Sequence, residues 1–155
     1  MRPVSPVLGV LALAAALTGC SGPPPVDEAA LHRWEVREQR SDDDTLLFGR
    51  VSAGTSERSD VSEPAVSASF PAPTDVRSVE LACFGDGTME GALQIEAGPT
   101  SRYIGLPEPV SCDDGRYRFD LSTSERTGVE RIGFTAFDSS RDSAWTLHVA
   151  TDRDS

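Results

Sequence analysis

The sequence predicts an all-β fold, an antiparallel β-sandwich of about seven to nine strands closed by one disulfide. Apolar side chains recur at every second position in several short segments, the period of a strand with one buried face. Gly, Asp, Ser and Pro separate those segments at repeated short intervals, as turns between sandwich strands require. No internal repeat divides the chain, so one domain is expected, over residues 29–155.

The N-terminus is different in kind. Met1-Arg2-Pro3 supplies one positive charge, and Val7 to Leu17 is an unbroken run of apolar and small residues, the layout of a secretory signal. At about 1.5 Å per residue a helix of that run falls short of the roughly 30 Å hydrocarbon core, so a permanent span is not expected. Leu17-Thr18-Gly19-Cys20 then resembles the lipobox of bacterial lipoproteins, with a branched apolar residue and two small ones ahead of a cysteine. The resemblance implies a signal peptide over 1–19, with Leu17, Thr18 and Gly19 read by the signal peptidase. It also implies a diacylglyceryl group on the Cys20 thiol, which becomes the new N-terminus and anchors the exported chain to the outer face of the cell membrane. More than one acyl chain, at about 0.8 kcal/mol per buried methylene, holds stably where a single chain does not.

Charge agrees with that means of attachment. The chain carries a net charge of −11, and removing the segment through Gly19 takes away Arg2 and no acid, giving −12. An acidic domain is repelled by anionic headgroups, so attachment falls to the lipid. Nucleic acid is excluded as a partner on the same ground, since its phosphates need a basic stripe. All 14 basic residues are Arg, and Lys and Asn are absent. Both use A/T-rich codons, so the composition points to a high-GC genome such as that of an actinobacterium.

With Cys20 assigned to lipid, two of the three cysteines remain, Cys83 and Cys112. Export puts them in an oxidising compartment, where a Cys83–Cys112 disulfide is expected. The next residues, Ser21-Gly22-Pro23-Pro24-Pro25, favour extended polyproline geometry, so 20–28 reads as the lipidated Cys and a stalk.

The domain's elements follow in order. In Asp27 to Arg40, Ala30, Leu31 and Trp34 fit two helical turns, while Trp34 and Val36 fit a strand. The strand is the reading taken, turning through Ser41-Asp42-Asp43-Asp44 to pair with the Leu46 region, and a short helix is its competitor. Leu46 to Ala53 and Ala65 to Phe70 have β character, weakened by Gly49 and flanking prolines. Val79, Leu81 and Cys83 share one face, as do Leu93, Ile95 and Ala97. Gly85-Asp86-Gly87 between them predicts a hairpin turn. Tyr117, Phe119 and Leu121 alternate with Arg118 and Asp120. Val129 and Ile132 to Ala136 predict a strand bulged near Gly133. Trp145, Leu147 and Val149 alternate with Thr146 and His148, a half-buried strand that leaves His148 exposed.

Chemistry is sparse by comparison. Asp42-Asp43-Asp44 and Asp113-Asp114-Gly115 lack the alternating donors and distant bidentate Glu of a calcium loop, so they read as solvated turns. The two remaining cysteines with His32 and His148 match no zinc spacing, and no Cys-x-x-Cys is present; no metal and no cofactor is expected. There is no Gly-x-Ser-x-Gly elbow and no phosphate loop with Lys. A hydrolase site would have to be assembled from distant residues, and the reading taken is non-catalytic. Of the aromatics Trp34, Tyr103, Tyr117 and Trp145, most are in phase with core positions; Tyr103, in Arg102-Tyr103-Ile104, is the surface candidate for ligand contact, as in stacking on a sugar ring.

The layout resembles small exported actinobacterial lipoproteins with a proline-rich stalk and a disulfide-containing β domain. It does so through Leu17-Thr18-Gly19-Cys20, Cys83-Phe84-Gly85-Asp86-Gly87, Cys112-Asp113-Asp114-Gly115 and Ala144-Trp145-Thr146-Leu147-His148-Val149. Such lipoproteins share no common activity. The expectation is an envelope interaction or ligand-binding module with a protein or glycan partner.

Overall fold

In the computed structural model, which describes residues 26–40, 45–54, 64–113 and 115–152, Asp27 opens the first element. Its Oδ1 accepts the Ala29 and Ala30 N–H groups, each at 3.0 Å, capping helix α1, Glu28–Glu38. Glu28 in the first turn and Arg37 in the last both complement the helix dipole. The strand expected here is therefore corrected to the competing helix. The buried set is Leu31, Trp34 and Glu38, spaced three and four apart along one helical face, whereas Val36 is only partly covered.

Nine strands follow among the described residues, all paired antiparallel. They are β1 Thr45–Val51, β2 Val66–Thr74, β3 Val76–Cys83, β4 Thr88–Ala97, β5 Thr100–Gly105, β6 Val110–Ser111, β7 Arg116–Arg118, β8 Val129–Phe137 and β9 Ser143–Thr151. One sheet has the order β1-β9-β3-β7. The other has the order β2-β8-β4-β5, with β6 paired to β4. The two pack face to face, as the alternating apolar positions predict. Cys83 closes β3 in the first sheet and Cys112 follows β6 beside the second. Their disulfide, 2.01 Å between sulfurs, ties the two layers together.

The core is organised by two aromatics and two glycines. Phe134 of β8 and Trp145 of β9 meet edge to face across the layers, with ring centroids 4.9 Å apart. Each needs room on a neighbouring strand. A Cβ on Gly49 of β1 would come 2.8 Å from Trp145 Nε1, and one on Gly91 of β4 would come 2.9 Å from Phe134 Cε2. Gly49 weakens the β1 reading in sequence for the reason that makes it necessary in three dimensions: the indole lies where a side chain would be.

Several expectations are overturned, each for a packing reason. Gly85-Asp86-Gly87 is not a hairpin turn, because β3 and β4 belong to different sheets. Its end is met from elsewhere: Cys112 N–H donates to Gly87 O, and at the start of β4 Ser140 N–H donates to Thr88 O. The segment after Tyr117 leaves the sheet at Arg118. Phe119 and Leu121 still enter the core, and a single helical turn, α2 Thr123–Arg126, follows. β8 keeps its register with β4 and β2 through Gly133, and the irregularity lies in β2 between Ser69 and Thr74, around Pro71 and Pro73. Those prolines are tolerated because β2 is an edge strand. Gly133 instead makes room for Pro64, whose Cγ would lie 2.5 Å from an added Cβ. Finally, β9 is not half-buried: Ser143 to Ala150 are all buried, because α1 covers the outer face of its sheet.

Candidate functional site

Leu17, Thr18, Gly19 and Cys20, the stalk through Pro25, Asp42 to Asp44 and Asp114 lie outside the described residues. The remaining candidates scatter. Tyr103 sits on edge strand β5, 46 % exposed, opposite Gln94 of β4. No other large hydrophobic is exposed among the described residues. Trp34 packs with Leu31, Ala82 and Ala144 in a small cluster between α1 and the sheet, its ring 5.8 Å from Phe84. His32 is exposed on α1.

His148, expected to face solvent, is 2 % exposed. Its alternation on β9 does turn it away from the inter-sheet core, but that outer face is roofed by the last turn of α1. There Glu38 Oε2 lies 2.9 Å from His148 Nε2 and 3.1 Å from Arg116 Nη2. Arg116 reaches on to Glu80, at 3.6 Å, and Arg37 approaches Glu38 Oε1 at 3.7 Å. The sheet register explains the convergence, since β3 sets Glu80 opposite His148 on one side and beside β7 on the other. A carboxylate taken out of water needs such partners, because an unpaired buried charge costs several kcal/mol. The chemistry available to this group is that of a latch: Glu38 is shared between guanidinium groups and the imidazole, and the imidazole has almost no contact with solvent.

An open concavity lies among the described residues at the end of the sandwich where α1 meets the disulfide. This open cleft of about 540 Å³ is within the range of ligand sites. Val26, Phe84 and Cys112 give it apolar surface, and Asp27, Asp86, Asp113 and Asp142 stand around them with Arg37 and Arg141. Part of this charge is structural. Arg141 Nη1 donates to Asp86 Oδ1 at 2.6 Å, Asp142 Oδ1 accepts the Ala53 N–H at 2.8 Å, and Asp27 caps α1. The cleft can hold a group that combines apolar surface with positive charge, because its walls are apolar and acids outnumber arginines.

Sequence reasoning found Asp113 and the cysteines but not the cleft, whose walls come from both ends of α1 and three separate loops. Nor did it find Glu38 and Arg116, which meet only once α1 is read as a helix. The usable signal was Asp27 as an N-cap ahead of Leu31, Trp34 and Glu38. Among the described residues no three His, Cys, Asp or Glu side chains gather to hold a metal ion, and no helix is long and apolar enough to cross a membrane. The residues and topology define a disulfide-tied antiparallel β-sandwich with a helix on one outer face. Compared with known proteins, the chain matches no family model, no curated protein and no solved structure.

Proposed function

We propose that this is an exported envelope lipoprotein whose lipid on Cys20 holds a non-catalytic binding module at the outer face of a cell membrane. The observation that carries the binding reading is the 540 Å³ cleft between α1 and the disulfide. Its lining, which combines apolar side chains with more acids than arginines, suits a cationic, partly apolar group on an envelope protein. The burial of His148 against Glu38 supports a structural use for this histidine. The anchor rests on Leu17-Thr18-Gly19-Cys20 and on the acidity of the rest of the chain.

A glycan-binding module is the second reading, favoured by Tyr103 standing exposed beside Gln94 and Ser101 on the β5 edge. A single ring makes a weaker platform than a row of rings, so the cleft takes precedence. Photo-cross-linkers placed at Asp113 and, separately, at Tyr103 in native membranes discriminate the two. One dominant protein captured from Asp113 supports the cleft. Retention on cell-wall polymer that is lost in Tyr103→Ala supports the glycan reading, and neither result rejects both. The mature N-terminus and its mass test the anchor: wild type should begin at a lipid-modified Cys20, and Cys20→Ala should lose the modification. An unmodified wild-type N-terminus downstream of Cys20 overturns it.

A further inference from the structure

α1 is attached to the sandwich by unusual means. Its buried face consists of Leu31, Trp34 and Glu38, and on its flank Arg50 of β1 reaches Glu28 at 3.5 Å and Glu35 at 3.8 Å, so two apolar side chains, one buried carboxylate and solvent-screened ion pairs hold an 11-residue helix. Helices of that length are not stable in water by themselves, so α1 is a helix only while docked. Leu31 and Trp34 pack in a cluster with Ala82 and Ala144 that is separate from the main core, where Phe134, Trp145, Leu81 and Leu93 lie between the sheets. The sandwich therefore keeps its own core whether or not α1 is in place. The docked interface is also polar underneath. Thr146 of β9 is fully buried on the outer face, and its Oγ1 has no hydrogen-bond partner among the described residues. Enclosing an unpartnered hydroxyl works against docking, as does taking Glu38 out of water.

We propose that α1 is a strap that opens and closes on an intact sandwich, and that its closure builds the cleft. Val26 and Asp27 at the start of α1 and Arg37 in its last turn form one side of that cleft, facing Phe84, Asp86, Asp113 and Asp142 from the sandwich. When the strap opens, that side is removed and the site ceases to exist. A ligand held between the two sides binds only the closed state, so occupancy and closure favour each other by the same factor. Thr146 keeps closure marginal; Glu38, with Arg116 and His148, gives it its place. α1 is also the described element nearest in sequence to Cys20, so tension on the anchor would act on the strap before the sandwich.

Hydrogen–deuterium exchange on the chain as its host produces it tests the strap without a ligand. The amides of Leu31 to Gln39 should exchange at least about a hundredfold faster than those of β4, β8 and β9, and slower than unstructured chain, through an opening that leaves the core protected. Thr146→Val should raise α1 protection roughly five- to tenfold by removing the unpartnered hydroxyl. Glu38→Ala should lower it by roughly tenfold or more, with β4 and β8 unchanged in both. Exchange of α1 in step with the core overturns the proposal, because the helix would then leave only on global unfolding. Exchange at the rate of unstructured chain overturns it too, since the strap would never close. So does a Thr146→Val variant whose α1 protection is unchanged or moves only together with that of the core.

Discussion

Gly91→Ala tests the core. A methyl there would lie 2.9 Å from both Phe134 Cε2 and Thr135 O, where ordinary contact begins near 3.4 Å. Phe134 cannot yield cheaply: it is fully buried, with Trp145 4.9 Å away and Phe119 6.3 Å away by ring centroids. Overpacking costs about 1–3 kcal/mol, a contact this short against a buried ring and backbone lies at the upper end, and replacing a strand glycine returns roughly 0.5–1 kcal/mol, leaving a net loss of about 2 kcal/mol. Phe134→Leu alone leaves a void and costs roughly 2 kcal/mol, below the range for complete removal of a ring. In the double variant the methyl fills part of that void, so the costs should fall short of additive by about 1 kcal/mol. Urea unfolding followed by tryptophan fluorescence measures all four species, and Trp145 reports directly on the ring at issue. A neutral or stabilising Gly91→Ala, or costs that add to within roughly 0.3 kcal/mol, refutes the account of why glycine stands there.

Reducing the Cys83–Cys112 bridge, which closes a separation of 29 residues, should lower stability by about 3.5 kcal/mol on the chain-entropy model. Paired denaturation curves with and without reductant measure it, and a loss under about 1 kcal/mol contradicts the view of the bridge as the tie between layers. The Glu125 carboxyl is held below its usual range by hydrogen bonds from the Ser122 hydroxyl and then the Ser122 N–H, at 2.7 and 2.8 Å. Because the folded state lowers this pKa, its stabilisation is present above the ordinary Glu range and lost as pH falls through the folded value. Glu125→Gln should therefore flatten the acid limb of the stability–pH curve relative to wild type, and an unchanged acid limb tells against the contact. Tyr103→Ser should change stability by no more than about 0.5 kcal/mol, as expected of an exposed side chain; a larger loss in thermal unfolding would show that the ring carries packing instead.

The layers were legible in the sequence because a period of two is local. Val79, Leu81 and Cys83 need only their own strand to declare a face, and the same holds for Leu93 and Ile95. Which strand they pair with is not local. Gly85-Asp86-Gly87 has the composition of a hairpin turn, yet its neighbours enter different sheets, because the partners of β3 and β4 are β9 and β8, dozens of residues further on. Gly49 and Gly133 read ambiguously in the sequence, and Gly91 gives no signal there, for the same reason. Gly49, Gly91 and Gly133 face an indole, a phenyl ring and a proline that nothing nearby in sequence announces.

The outer face of β9 is where local reading fails most, and the failure and the candidate site have one cause. Alternation places Thr146 and His148 opposite Trp145 and Leu147, which on a bare sheet means solvent. It means burial here because α1, more than a hundred residues earlier, lies across that face and brings Glu38 to the imidazole. Polar residues retained under a roof are costly as core and suited to an interface that separates, since each finds water when the roof lifts. The pattern of β9 is thus that of an exposed strand which the fold covers. A helix that owes its place to two buried apolar side chains, a shared carboxylate and solvent-screened pairs with Arg50 is the element best able to uncover it.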